Sequence, residues 1–154
     1  MFDNPKVVCA DEQSHHTCGQ EQWRLAVIHT TSETEPVIGG ILDKLEQEGY
    51  SDKEIFGVRL ALEEALVNAS KHGNRGDSSK SVQIRYHVTP SCVVCEVEDG
   101  GMGFKPEEVP DPLAPENLEK SCGRGLLLMR SYMTWVRYNT AGNRVTMCKR
   151  HGDV

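Results

Sequence analysis

Three polar residues recur at four-residue intervals along one segment of the chain: Glu64, Asn68 and His72. In an α-helix this spacing places their side chains on a single stripe, one turn apart. Gly57 and Ala61 share that side of the helix, so a ligand can approach its backbone closely. The pattern predicts a ligand-binding helical face. The alternative is that Glu64 and Asn68 are ordinary solvated residues on an exposed face. Without the other motifs, this alternative is favoured.

An acidic residue ends an apolar row in a second segment. Val93, Cys95, Val97 and Asp99 alternate as residues on one face of a strand do. A partly buried carboxylate is costly unless a group donates to it, and the exocyclic amine of adenine is such a donor. The following glycines let the backbone lie close to a ligand. The alternative is a glycine-rich turn in which Asp99 accepts from its own backbone.

A third segment, Gly123-Arg124-Gly125-Leu126, is a glycine-rich loop that opens a helix. The free backbone N–H groups and the dipole of a helix N-terminus attract anions such as phosphate. A Gly-x-Gly pattern alone is weak evidence, because an ordinary helix cap has the same composition.

In this order and spacing the three segments resemble the N, G1 and G2 boxes of the GHKL (Bergerat-type) superfamily of ATP-binding domains, over about residues 23–150. The form Glu64-Ala65-Leu66-Val67-Asn68-Ala69 is most similar to that of the bacterial anti-sigma factor serine kinases. These are small kinases that phosphorylate a serine on an anti-anti-sigma (STAS) protein. Leu127 stands where histidine kinases often carry a third glycine, which argues against that branch.

The resemblance implies a role for each motif residue. Asn68 would coordinate Mg²⁺, Asp99 would bind adenine, and Glu64 would be the general base. Four glycines would let a lid close over the phosphates: Gly101, Gly103, Gly123 and Gly125. Lys120 or Arg124 would neutralise charge at the terminal phosphate, and the sequence does not choose between them.

The implied activity is that of a Mg-ATP-dependent serine kinase that acts on a STAS protein and regulates transcription by partner switching, with a sigma factor as a further partner. One alternative is a nucleotide-gated protein-binding module with little phosphoryl transfer. Another is an ATPase that drives a conformational cycle, although such relatives usually carry a transducer domain. Glu64 favours the kinase, because a pure binding module needs no base. Whether the chain forms a homodimer stays open.

Hydrophobic periodicity predicts the elements that position these motifs. Strands are expected over 23–30, 81–89, 93–98, 135–139 and 144–149, and helices up to Gly49, over 53–71 and from about residue 123. Together they predict an α+β two-layer sandwich, with a mixed sheet covered on one face by helices. Residues 1–21 are expected to form an N-terminal extension and 22–154 the kinase domain. Four prolines between Phe104 and Lys120 predict an irregular segment able to hinge over bound nucleotide.

Composition sets further limits. With 38% hydrophobic residues, 26% charged residues and a net charge of −6, the chain is typical of a water-soluble domain and unsuited to direct nucleic-acid binding. No apolar stretch approaches the roughly 20 residues that span a bilayer, so a cytoplasmic protein without a membrane segment is expected. The six cysteines are expected to be reduced. Cys92 and Cys95 should face opposite sides of the sheet.

Overall fold

The computed structural model describes residues 23–77, 79–101 and 124–153, without the side chains of His72 and Arg124. The strands within these ranges are β1 (Arg24–Ile28), β2 (Val82–Val88), β3 (Cys92–Glu98), β4 (Trp135–Tyr138) and β5 (Arg144–Arg150). The helices there are α1 (Thr34–Gln47), α2 (Asp52–Val67) and α3 (Arg124–Tyr132). A 3-10 turn (Thr31–Glu33) precedes α1, and a π-helix (Asn68–Gly73) follows α2. The predicted N-terminal extension, 1–21, lies outside the described residues.

The five strands form one sheet in the order β1-β2-β3-β5-β4. Each neighbouring pair is antiparallel, for example Ile84 opposite Val97 and Val97 opposite Val145. The prediction of a mixed sheet is therefore wrong for the described strands. The strand order explains why: β3 and β4 run the same way on either side of α3, but β5 lies between them and pairs antiparallel with both.

The helices cover one face of this sheet, and the α+β two-layer class is confirmed. A single buried cluster joins side chains from the three helices to the inner face of the strands. Its fully buried members include Ile38, Ile41, Leu45, Leu62, Leu66, Met129, Ile84, Cys95 and Met147. Their removal from water is the main stabilising contribution to the fold.

The opposite face of the sheet is also buried near the β2–β3 turn. Cys92, Val94 and Cys148 form a second, smaller cluster with Trp23 and Trp135 packed against it. At this end of the sheet the β2–β3 hairpin is therefore buried on both faces. Cys92 and Cys95 do lie on opposite faces, as predicted, since Cys95 belongs to the main core.

The cysteines are not all reduced. Cys92 is disulfide-bonded, which contradicts the expectation of reduced thiols, whereas Cys95 and Cys148 are free. Burial raises the pKa of each of these two thiols to about 12, so both stay protonated and unreactive at neutral pH.

The second helix begins as predicted and ends differently. Ser51 caps it: the Ser51 hydroxyl accepts from the backbone N–H of Glu54 at 3.2 Å, and the Glu54 carboxylate accepts from the N–H of Ser51 at 2.7 Å. The α-helical pattern stops at Val67 and widens into the π-helix, where the N–H of Asn74 donates to the carbonyl of Ala69 at 2.8 Å. Glu64 and Asn68 keep their four-residue spacing, but His72 lies within the wider turn.

None of the helices described is long and apolar enough to cross a membrane.

Candidate functional site

Glu64 and Asn68 lie one turn apart where α2 passes into the π-helix, and both are half-buried. Gly125, in the first turn of α3, lies directly against them. A Cβ added to Gly125 would come within 2.5 Å of Glu64 Oε2 and 3.3 Å of Asn68 Nδ2. The absence of a side chain at Gly125 thus allows the start of α3 to approach the carboxylate and the amide closely.

Asp99 lies at the other end of the π-helix. A Cβ on Gly73 would overlap the Asp99 carboxylate, and a Cβ on Gly101 would overlap the carbonyl of Gly73. Asp99 Oδ1 accepts a hydrogen bond from the N–H of Gly101 at 2.7 Å. The backbone N–H of Asp99 donates to the carbonyl of Asn143 at 2.9 Å, which ties the residue to the β4–β5 turn. The carboxylate therefore sits on a surface made of glycine backbone.

The electrostatics of Asp99 are those of a poorly solvated acid. Burial raises its pKa; the hydrogen bond from Gly101 opposes this, the charge of Glu98 adds to it, and Lys80 reduces it. The net pKa is raised. Such a carboxylate gains from a neutral donor group placed next to it, which the amine of adenine would supply.

Tyr138, the last residue of β4, lies in the same electrostatic environment. Burial raises its pKa to about 12; the charge of Arg130 opposes this and that of Asp99 adds to it. Its phenol therefore stays protonated at neutral pH.

Two contributors to the site were missed in the sequence. Neither Gly73 nor Asn74 was predicted to belong to the site. The buried Asn74 side chain accepts from the N–H of Gly100 at 2.7 Å and donates to the carbonyl of Ser81 at 3.1 Å. The dipeptide Gly73-Asn74 immediately after the polar stripe was a signal for a tight turn, but nothing in its spacing pointed to Asp99.

One prediction on the polar side of α2 is wrong. Gly57 and Ala61 do not leave room for a ligand, because both are buried and α3 packs on that part of the helix. A Cβ on Gly57 would lie 3.1 Å from Tyr132 Cδ1. The small residues there serve helix packing.

Several predicted site residues cannot be placed. Gly103, Lys120 and Gly123 lie outside the described residues, as does the hinged segment 104–120. Arg124 begins α3, but its side chain is not part of the description. Among the predicted residues, Gly125 is brought against Glu64 and Asn68 at the start of the π-helix, and Asp99 and Gly101 are brought against its last residue, Gly73.

The donor set suits a metal shared with a ligand. Within the described part of the chain, no group of three or more His, Cys, Asp or Glu side chains could hold a metal ion. An amide oxygen at Asn68 and a carboxylate at Glu64 are oxygen donors of the kind Mg²⁺ takes alongside phosphate oxygens and water.

The comparison with protein-family models shows the family to which this chain belongs. The model of the histidine kinase-like ATPase domain matches residues 29–149, which include all three motif segments. The chain belongs to this family. Proteins similar to it include the serine-protein kinase RsbW of Bacillus licheniformis, which is 30% identical over 119 residues, or 73% of this chain and 72% of that protein. The anti-sigma F factor of Clostridium perfringens strain SM101 is 32% identical over 61% of this chain and 69% of its own length.

A solved structure of the same histidine kinase-like ATPase fold supports the architecture. The crystal structure of the RsbU and RsbW domains of a Mycobacterium tuberculosis protein superposes with a TM-score of 0.56 at 16% identity. The match covers 85% of this chain and 32% of that longer chain. At this identity the likeness establishes the fold alone.

Proposed function

We propose that this chain is a Mg-ATP-dependent serine kinase of the anti-sigma factor type, which phosphorylates a STAS anti-anti-sigma protein and regulates transcription by partner switching. The observation that carries the proposal is the approach of Gly125 to Glu64 and Asn68 at one end of the π-helix, with Asp99 against Gly73 at the other. One short element, the π-helix, thereby separates Asp99, which would bind adenine, from Glu64 and Asn68, which would lie beside the triphosphate.

At the triphosphate end, Asn68 would hold Mg²⁺ through its amide oxygen. The ion, when bound, supplies charge neutralisation between the phosphates. Gly101 and Gly125 would allow the backbone to approach the nucleotide, together with Gly103 and Gly123 of the same motifs. Lys120 or Arg124 would neutralise charge at the terminal phosphate.

Glu64 would act as the general base. It lies one helical turn before Asn68, about 6 Å along the axis, so it can reach a hydroxyl beside the terminal phosphate without being the metal ligand. The serine Oγ–P bond forms, the bond from the γ-phosphorus to the β–γ bridging oxygen breaks, the hydroxyl proton passes to Glu64, and ADP leaves.

The partner class follows from the relatives. The proteins named serine-protein kinase RsbW and anti-sigma F factor share about 30% of their residues with this chain over most of its length. They support a serine on an anti-anti-sigma protein as substrate and a sigma factor as second partner. We further propose that residues 22–154 form the kinase domain, preceded by an extension over 1–21, in a cytoplasmic protein.

Transfer of label from γ-³²P-ATP to purified candidate STAS proteins tests the proposal. Wild type should place label on a serine. Asn68→Ala should lose both ATP binding and transfer, whereas Glu64→Gln should keep ATP binding and lose about 10²–10⁴-fold in transfer rate. The matched control is Glu63→Gln, because Glu63 lies on the same helix but pairs with Arg59 at 3.4 Å. Transfer by Glu64→Gln within about threefold of wild type would favour the nucleotide-gated binding module instead.

A further inference from the structure

We infer that Asn74 is a positioning residue that sets selectivity for adenine, by holding Gly100, and through it the Asp99 carboxylate, against the end of the π-helix. The inference rests on the proposed ATP site and adds to it a residue outside the three motifs.

The Asn74 side chain connects three separate parts of the chain. It is 3% exposed, and both of its polar atoms are used. Oδ1 accepts from the N–H of Gly100 at 2.7 Å and Nδ2 donates to the carbonyl of Ser81 at 3.1 Å. Because one partner can only donate and the other can only accept, the orientation of the amide is fixed. The turn after the π-helix, the start of β2 and the glycine loop after β3 are thereby joined.

Gly100 is the link on which the geometry of Asp99 depends. It lies between Asp99 and Gly101, whose N–H orients the carboxylate at 2.7 Å. A glycine pair has wide conformational freedom, so the chain beyond β3 would lose this arrangement easily without an anchor. Asn74 supplies the anchor beside Gly73, on which the carboxylate packs.

This role predicts an effect on selectivity beyond a loss of stability. A preorganised acceptor distinguishes a ligand that has the matching donor from one that lacks it, and a mobile acceptor does so poorly. The triphosphate of purine riboside lacks only the exocyclic amine of ATP. The ratio of the two dissociation constants therefore reports on recognition of the amine, because contacts to the triphosphate cancel.

The experiment measures both constants by calorimetry, with Mg²⁺, for wild type and three variants. Wild type should prefer ATP by about 10- to 100-fold, as a hydrogen bond to a charged acceptor implies. Asn74→Ala should prefer it by less than about threefold. Asn74→Asp keeps the acceptor for Gly100 and should retain most of the preference. Thr89→Ala is the control, because the buried Thr89 hydroxyl accepts from the N–H of Cys92 at 3.0 Å at the far end of the same hairpin.

Each outcome has a distinct meaning. Loss of preference in Asn74→Ala with retention in Asn74→Asp and Thr89→Ala supports the inference. An unchanged ratio in folded Asn74→Ala overturns it and leaves the proposed function standing. If Asn74→Ala does not fold, Asn74→Leu takes its place, because leucine is close in size to asparagine and also lacks the acceptor for Gly100: a lost preference supports the inference and an unchanged ratio overturns it. Wild type that binds both nucleotides equally overturns it together with the role of Asp99. Wild type that binds neither overturns the proposed function as well.

Discussion

Asp99 is held in place by two residues that have no side chain. Any Cβ on Gly73 or Gly101 would overlap the carboxylate or the backbone beneath it, so the positions require glycine for space. The arrangement leaves the acid with a raised pKa, in which burial outweighs the hydrogen bond from Gly101. At the scale of single residues, the site thus contains a group whose ionised form the unliganded fold does not favour.

Asp99→Asn should therefore lower ATP affinity without lowering the stability of the unliganded protein. A carboxyl group whose folded pKa is raised contributes stability below its unfolded pKa, and that contribution is lost as pH rises through the folded value. At neutral pH Asp99 is ionised, and its ionised form lowers the stability of the fold. Denaturant unfolding at pH 7 should give an unfolding free energy for Asp99→Asn equal to or above that of wild type, while calorimetry shows weaker ATP binding.

A fall in unfolding free energy would show that Asp99 is a structural residue. Retained ATP affinity would remove it from the adenine site.

The π-helix is the element that joins the two ends of the site. Asn68 is its first residue and Gly73 its last, so one irregular turn sets the separation of the proposed metal ligand, Asn68, from Asp99, the proposed adenine-binding residue. Insertions of this kind are rare within helices and frequent at functional sites. Arg75, just beyond it, has a positive φ of 53°, a conformation that non-glycine residues seldom adopt.

Gly40 and Gly57 lie in regular helices, and replacing each by alanine distinguishes the effect of backbone entropy on stability from the effect of packing. Gly40 in α1 has open space where a Cβ would be, whereas a Cβ on Gly57 in α2 would lie 3.1 Å from Tyr132 Cδ1. Gly40→Ala should raise the unfolding free energy by about 0.5–1 kcal/mol. Gly57→Ala should lack this gain, because Tyr132, which also meets Phe56 edge to face, must move. Thermal unfolding of both variants measures the difference. An equal gain in unfolding free energy would mean that α3 can shift at little cost.

Periodicity was sufficient for most of the fold and for the spacing of Glu64 and Asn68 on one helix. Strand alternation placed Asp99 on the core face of β3, and helical spacing placed Glu64 beside Asn68. The π-helix could not be predicted in this way, since its widened turn breaks the four-residue period. Local patterns also could not predict the contacts that Gly73 and Asn74 make with the loop after β3. Gly100, for example, is 26 residues from Asn74 in sequence.

Across the whole molecule, Glu54 connects the start of α2 to the segment after β5. It is 7% exposed, and its carboxylate accepts from the N–H groups of Ser51 at 2.7 Å and Gly152 at 2.5 Å. His151 Nδ1 lies 3.2 Å away and its ring packs on Tyr50. The helical layer is thereby fastened to the sheet at the end remote from Asp99.

Glu54→Gln should destabilise the protein in a pH-dependent manner. Burial raises the pKa of Glu54, but the hydrogen bonds from Ser51 and Gly152 and the charge of His151 outweigh it, so the net pKa is lowered. The stabilisation is present above the ordinary glutamate pKa of about 4.3 and is lost as pH falls through the lower folded value. Unfolding at pH 7 should show a loss of about 1–3 kcal/mol that shrinks towards pH 3. Glu63→Gln, a surface control, should cost less than about 1 kcal/mol at either pH.

The insertion of β5 between β3 and β4 also dictates the order in which the site can be assembled during synthesis. Residues 92–98 emerge from the ribosome some 50 residues before the strand that pairs with them, Cys92 opposite Arg150 and Glu98 opposite Arg144. Until that strand is translated, β3 has one free edge and Asp99 lacks the carbonyl of Asn143 that holds its backbone. A nascent chain stalled before residue 144 should therefore be unable to retain nucleotide, and its exposed β3 edge is the surface on which a chaperone would act.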